Sequence, residues 1–391
     1  MHLDPLIPAL VGTAFAVLLV GLIFRRLRQP QVIAYIAVGI AIGPHGLGWI
    51  SDVHIAQRLG DTGVILLLFF VGMEISLPHL VANWRIPIIG TLVQIAASVG
   101  AVVAVGSWLD WPITRSVLLG FVTSLSSTAI VIRLLEDLGE ADTHVGRDVV
   151  GVLLAQDLAL VPMLIVIAHL SGSSTETANL TLQVVGTLGL GLLLVYIARG
   201  GSVRLPITSW VRADHEFQVF AAFAVCFGLA FLTAAFGLST AVGAFVGGIL
   251  VAAARETQWI RETLEPFRIL LVAFFFVSIG MLLDLRFVAA NTVTILLLVS
   301  IALTTNTLIN GIIFRVLGRS WHDSWYGGVL LAQIGEFSFV LAAVGLTAQV
   351  ITHFAYQAAI AVIALTMVLS PGWIVAVRHL GARRSQPSRA A

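Results

Sequence analysis

Apolar residues run along this chain in long blocks, and the short polar stretches between them carry most of its arginines and acids. A helix needs roughly 20 mostly apolar residues to cross about 30 Å of hydrocarbon. Against that length the pattern predicts thirteen membrane helices, at about 6–24, 32–50, 62–77, 86–108, 115–134, 148–169, 180–199, 217–236, 240–254, 266–284, 291–313, 323–346 and 355–377. Two of these, 62–77 and 240–254, are short for a full crossing. The expected fold class is an all-α polytopic membrane protein, with a short arginine-rich tail at 378–391.

Composition agrees with the pattern. The 391 residues are 59% apolar and 10% charged, where soluble domains run at about 25% charged. Soluble enzymes, nucleic-acid binders and disordered chains are excluded, and the lipid bilayer is the expected partner. Lysine is absent, so all 21 basic residues are arginines. Arranged on thirteen crossings, eighteen arginines fall on one side and three, Arg58, Arg115 and Arg286, on the other. The positive-inside rule then sets the N-terminus outside and the C-terminus in the cytoplasm, consistent with a bacterial inner membrane. Met1–Pro5 carries no basic residue while Arg25, Arg26 and Arg28 follow the first span, which is not the layout of a signal peptide. The single cysteine, Cys226, permits no intramolecular disulfide.

Landmarks recur about 207 residues apart. Leu68-Phe69-Phe70-Val71-Gly72-Met73 is answered by Phe275-Phe276-Val277-Ser278-Ile279-Gly280-Met281, and Ser126-Ser127-Thr128 falls opposite Gln333-Ile334-Gly335-Glu336. An offset of seven helices gives two inverted six-helix repeats, about 6–169 and 217–377, with 180–199 as a linker helix. Inverted repeats with a midplane site on broken helices are a common plan of secondary transporters.

A few polar groups sit where lipid should be. Asp157 lies about nine residues into its span, roughly 14 Å at 1.5 Å per residue and close to the bilayer middle. An acid there costs about 2.5–3.5 kcal/mol to insert, so it needs a wet cavity or a partner. Protonated interhelical glue is the bland reading, and a cation or proton site the sharper one. Pro162, one turn on, removes a backbone bond and loosens the helix there. Thr123-Ser124-Leu125-Ser126-Ser127-Thr128 places five hydroxyls in six positions. They can fold back on their own helix, or mark an unwound stretch whose hydroxyls and carbonyls are hard ligands for an alkali cation. Glu336 follows Gly335, another break signal, and either pairs with a freed backbone amide or carries protons. Glu74 reads as a half-solvated structural acid, and Asn306 and Asn310 as hydrogen-bonding groups between helices.

Together these residues form an ordered set of motifs. Ile42-Gly43-Pro44 with Gly46-Leu47, Gly72-Met73-Glu74, Ser126-Ser127-Thr128-Ala129-Ile130, Ala155-Gln156-Asp157, Glu265-Pro266-Phe267 and Gly335-Glu336-Phe337-Ser338-Phe339-Val340 occur in one order over nearly the whole chain. The chain resembles the membrane domain of Kef-type potassium/proton antiporters, within the monovalent cation:proton antiporter superfamily, without the cytosolic nucleotide-binding domain of that type. The resemblance implies a homodimer, a scaffold and a moving core domain in each protomer, and crossed, broken fifth and twelfth spans. It implies a K+ or Na+ ion at Asp157, Ser127 and Thr128, with Gln156 beside them and Ser126, Glu336, Asn306 and Glu74 in support. No cofactor is implied beyond the transported cation and proton, and a separate cytosolic regulatory subunit is compatible with it. Many relatives place a lysine on the eleventh span where this chain has Asn306, so a lysine salt bridge to the aspartate is not expected here.

The expected function is therefore exchange of a monovalent cation, K+ before Na+, for a proton, electroneutral at one for one, with Asp157 as the shared carrier. A Na+/H+ antiporter and a cation channel or leak pathway are the rivals. A channel needs a continuous pore with several weak sites, whereas this sequence offers one deep acid. An intramembrane hydrolase lacks its motifs here, so no enzyme activity is expected.

Overall fold

The computed structural model describes residues 6–50 apart from 28 and 30, residues 63 and 65–73, residues 85–170 apart from 141, parts of 185–199, and residues 215–236, 240–253 and 258–384. Every regular element among these residues is helical. In chain order they are α1 (Leu6–Arg26), α2 (Gln31–Ile42), a helical stretch at 65–73, α3 (Gly90–Trp108) entered through a π-helical turn at Arg85–Ile89, α4 (Ile113–Ser124), α5 (Thr128–Asp137) and α6 (His144–Leu170). The second half supplies α7 (His215–Ala235), α8 (Thr240–Ala253), α9 (Gln258–Leu282), α10 (Leu285–Ala290), α11 (Thr292–Val316), α12 (Trp321–Leu330), α13 (Phe337–Thr347) and α14 (His353–Arg384).

Six of these segments are long and apolar enough to cross a membrane: Arg85–Trp108, His144–Leu170, Glu216–Ala235, Leu264–Leu282, Thr292–Val316 and His353–Val377. Shorter apolar helices, α2, α4, α8 and α13, accompany them. Nine of the twenty residues of the span expected at 180–199 lie outside the described residues, as does Glu74. Large apolar side chains face outward, with Phe231 77% and Val293 81% exposed, while the polar Ser127, Gln156 and Gln333 are 0% exposed. Lipid surroundings select this inversion, because hydrocarbon tolerates phenylalanine and penalises an amide. The protein is an integral membrane protein.

The apolar run at 32–50 does not stay helical to its end. Helix α2 stops at Ile42, because Pro44 disfavours helical geometry at Gly43 and lacks an N–H. The chain then turns back on itself, with Leu47 N donating to Ala41 O at 2.7 Å and Ile50 N to Ile42 O at 3.0 Å. In the other direction, α14 runs on through Arg384, so the first half of the expected tail is helical.

The chain divides into two compact units, each drawing on both halves of the sequence. The first takes in Met1–Ala16, Tyr35–Asn83 and Leu158–Leu282. Its core packs Leu66, Phe69, Phe70 and Met73 against Ala222, Cys226 and Ala230 of α7, Ala244 and Val251 of α8, and Leu264 of α9. Two glycine crossings let its backbones touch: a Cβ on Gly280 would lie 2.1 Å from Ile36 O, and one on Gly72 2.1 Å from Phe245 O. Gly39 meets Gly280, and Gly72 meets Gly248. Gly39 and Gly248 are 209 residues apart, Gly72 and Gly280 208 apart, so the two contacts pair residues at nearly the same offset.

The second unit comprises Val17–Ala34, Trp84–Asp157 and Leu283–Ala391. Val131 and Leu135 of α5, Val149, Val152 and Leu153 of α6, Phe314 of α11, Val329 and Leu330 of α12 and Ile374 of α14 form a buried cluster in it. Gly318, at φ 95°, closes α11, and Arg319 N donates back to Phe314 O at 3.0 Å in a Schellman turn.

Candidate ion-binding site

Two interrupted helices meet in the second unit. The first interruption, Leu125-Ser126-Ser127, separates α4 from α5; the second, 331–336, separates α12 from α13. Membrane interiors hold no bulk water for backbone groups, so each group freed by an interruption needs a protein partner. At the end of α4 four successive carbonyls find one. Val122 O accepts from Ser338 Oγ at 2.6 Å, Thr123 O from Asn306 Nδ2 at 2.9 Å, Ser124 O from Gln94 Nε2 at 2.8 Å, and Leu125 O from Gly335 N at 2.7 Å. These are the orphan acceptors that any α-helix leaves at its C-terminus, and the donors come from α13, α11, α3 and the second interruption.

The second interruption is pinned in the same way. Leu331 O accepts from Ser126 Oγ at 2.9 Å and Ala332 O from Asn306 Nδ2 at 3.1 Å, while Ile334 N donates to Thr366 Oγ1 at 3.3 Å. The Asn306 amide thus ties the C-terminal ends of α4 and α12 together. Carbonyls there carry partial negative charge from the helix dipoles, and a neutral amide satisfies both without bringing a charge. Asn310 turns back along its own helix, donating to Asn306 O at 2.9 Å. Gly335 is needed for the crossing, because a Cβ there would lie 2.4 Å from Ser126 O.

The acids lie beside the helix starts. Thr128, half-buried at the first turn of α5, offers its hydroxyl to Asp157 at 3.3 Å to Oδ1 and 3.2 Å to Oδ2. Ser127, one residue earlier, donates to Glu336 Oε2 at 2.6 Å, just ahead of α13. Both acids are buried, Asp157 at 5% and Glu336 at 8% exposure, and the two carboxyl groups are within electrostatic reach of each other. Asp157 stands on the continuous helix α6, which passes through Pro162 without interruption.

Ser126, Ser127, Thr128, Gln156, Asp157, Asn306 and Glu336 are therefore gathered in one hydrogen-bonded assembly. Within it they do different things. Gln156 points its amide away from Asp157 in bonding terms: Oε1 accepts from Ser126 N at 2.9 Å and Nε2 donates to Gln94 Oε1 at 2.6 Å. Gln94, the first member of this relay, escaped the sequence reading. Its signal was a single amide inside the apolar stretch 86–108, without any hint of a partner 62 residues away. The relay makes a testable claim. Gln94→Leu and Gln156→Leu are each expected to lower the thermal midpoint, and the double variant to lose less than the sum, with a coupling of about 1 kcal/mol. Strictly additive losses would show that the amide pair contributes nothing.

Comparisons with known proteins give the family and the fold of the chain. Residues 14–378 match the family "Sodium/hydrogen exchanger, transmembrane". The chain is 35% identical over 367 residues to the iron transporter MagA of Paramagnetospirillum magneticum, covering 94% of this chain and 84% of that protein. It is 30% identical over 390 residues to the glutathione-regulated potassium-efflux system protein KefC of Salmonella schwarzengrund, covering 97% of this chain and 62% of that one. The structure of the sodium proton antiporter MjNhaP1 from Methanocaldococcus jannaschii superposes with a TM-score of 0.65 at 17% identity, over 97% of this chain and 98% of the other, and so shares the fold. With a family match over residues 14–378 and helices of membrane-spanning length, the chain belongs to the transmembrane sodium/hydrogen exchanger family.

Proposed function

We propose that the protein exchanges a monovalent cation, K+ before Na+, for a proton, and that Asp157 carries both in turn. One observation supports this above the others. Among the described residues Asp157 accepts a hydrogen bond from Thr128 and has no arginine or histidine as an ion-pair partner, although it is buried. An unpaired buried carboxylate is costly, so it must hold either a proton or a cation. Mutually exclusive occupancy of one carboxylate is antiport in its simplest form, one for one and without net charge movement.

The ligand chemistry fits an alkali cation. Asp157 and Thr128 offer carboxylate and hydroxyl oxygens, which are hard donors. The carbonyls of residues 122–125 each already accept a protein donor, so the side-chain oxygens come first as ligands. Preference for K+ leans on relatives named for potassium efflux, KefC and the chloroplastic K(+) efflux antiporter 2 of Arabidopsis thaliana, the latter 32% identical over 384 residues. The glycine contacts that repeat at offsets of 208 and 209 support reading the two halves as inverted repeats.

The test is proton flux in proteoliposomes, read with a pH dye while potassium, sodium, rubidium and lithium gradients are imposed in turn. Potassium and rubidium are expected to drive counterflow of protons, and an imposed membrane potential should barely alter a sodium-driven rate measured without potassium. Cation flux without proton counterflow would make the protein a channel instead.

A further inference from the structure

Gln333 stands apart from every other amide in the assembly. Its side chain is 0% exposed, and among the described residues neither its Oε1 nor its Nε2 has a hydrogen-bond partner. Gln94, Gln156 and Asn306 all have their amides engaged. The backbone on both sides of Gln333 is held in place. Ala332 O before it is held by Asn306, Ile334 N after it by Thr366 Oγ1, and Gly335 N by Leu125 O. The held backbone therefore keeps this buried side chain, with an unpaired donor and an unpaired acceptor, in the membrane interior. Either group left unmade carries a desolvation cost, and a leucine or methionine would fill the space without it.

The guest that suits this pair must both donate and accept. A bare alkali cation could use Oε1 but would face the positive end of the Nε2 amino group. Water meets both groups at once, and buried waters typically serve such otherwise unsatisfied polar atoms. We propose that Gln333 holds an internal water at the second interruption and that this water takes part in binding the transported cation. This rests on the antiporter reading above. The link to the cation runs through the interruption itself: Leu331 O takes Ser126 Oγ, Gly335 N reaches Leu125 O, and Glu336 takes Ser127 Oγ, one residue from the Thr128 that contacts Asp157. Gln333 stands in this interruption between Ala332 and Ile334, both tied into the assembly, so a water on its amide would offer an oxygen there beyond those of the side chains. Gln333 is thus a positioning residue, acting on the cation through the water it holds.

Gln333→Met keeps the length of the side chain and removes the amide; Gln333→Asn keeps the amide one methylene shorter. Both are compared with wild type and Asp157→Asn, using the full chain in proteoliposomes with potassium chloride titrated and proton flux as the signal, and using thermal midpoints in cation-free detergent solution. Gln333→Met is expected to raise the apparent KM for potassium about tenfold, equivalent to about 1.4 kcal/mol, with kcat and the midpoint close to wild type. Gln333→Asn should fall between the two. A wild-type KM in Gln333→Met would overturn the proposal, since the amide then holds nothing the cation needs. So would a joint loss of KM, kcat and midpoint, which marks an amide that braces the fold. Failure of the antiporter reading looks different: wild type itself then shows no potassium-dependent proton flux, or Asp157→Asn retains it.

Discussion

Asp157→Asn should abolish cation/proton exchange and leave the protein folded. Asparagine has nearly the volume of aspartate and can still accept from the Thr128 hydroxyl, now 3.2–3.3 Å from the carboxylate oxygens, so α5 and α6 keep their contact. What disappears is the titrating group and the only formal charge that Asp157 offers a cation. Two measurements separate loss of function from loss of fold. Proton flux on a cation gradient should drop to the level of empty vesicles, while the cation-free thermal midpoint stays close to wild type, because a neutral amide takes the place of an acid that its proton already neutralises there and the Thr128 contact remains. Cation binding supplies the third readout. A ligand bound only by the folded state at 100 times its dissociation constant adds about 2.7 kcal/mol of stability; wild type should show that gain and Asp157→Asn should not. Asp157→Glu keeps the charge but moves it by one methylene, and partial activity with altered apparent affinity is the expected outcome. Glu336→Gln is the necessary counterpart. Its oxygen can still take the Ser127 hydroxyl, so exchange should persist. Were Asp157→Asn active and Glu336→Gln dead, the carrier would be Glu336.

Much of this site could be read from the chain because lipid makes polar residues conspicuous. Asp157 declared itself by depth alone, and the cluster from Thr123 to Thr128 marked the first interruption, which the structure places at Leu125-Ser126-Ser127. Gly335-Glu336 marked the second. Partnerships were harder. Hydropathy reports where an amide sits but not what it reaches, so nothing local connected Gln94 to Gln156, or Asn306 to two carbonyls 183 and 26 residues away. Thr366 illustrates the same limit: a threonine in an apolar helix usually bonds its own backbone, and this one does so at Ile363 O while also accepting from Ile334 N. Helix ends depart from the hydropathy pattern wherever composition and backbone geometry disagree. The run 32–50 is apolar throughout, yet Gly43-Pro44 stops α2 at Ile42. Conversely α9 begins at Gln258, eight residues before the apolar stretch that starts at about 266, because a polar turn can be helical without belonging in hydrocarbon.

Gly335→Ala should cost nearly as much transport as loss of the acid, although alanine adds only a methyl group and touches no ion ligand. Backbone crosses backbone here. The new Cβ would lie 2.4 Å from Ser126 O, 2.5 Å from Ser126 C and 2.8 Å from Ser127 N, all far inside van der Waals contact. None of these atoms belongs to a side chain that could rotate away, so the two interruptions themselves must separate. Separation strains the 2.7 Å bond from Gly335 N to Leu125 O and the 2.6 Å bond from Ser127 to Glu336. Overpacking of a close contact costs about 1–3 kcal/mol, and the exposed carbonyl of Leu125 adds to it. A lower thermal midpoint and near-background proton flux are expected together. Gly100→Ala is the matched control: it lies on α3 with nothing within 4 Å of its added methyl, and a helical glycine replaced by alanine gains up to about 1 kcal/mol in propensity. That variant should transport like wild type with an unchanged or higher midpoint. If Gly335→Ala matched wild type in flux and midpoint, the crossing would have to be looser than 2.7 Å contacts allow, and the position of Ser127 and Glu336 would no longer depend on it. Loss of flux at an unchanged midpoint would say instead that the crossing serves transport alone, since the unit holds together without it.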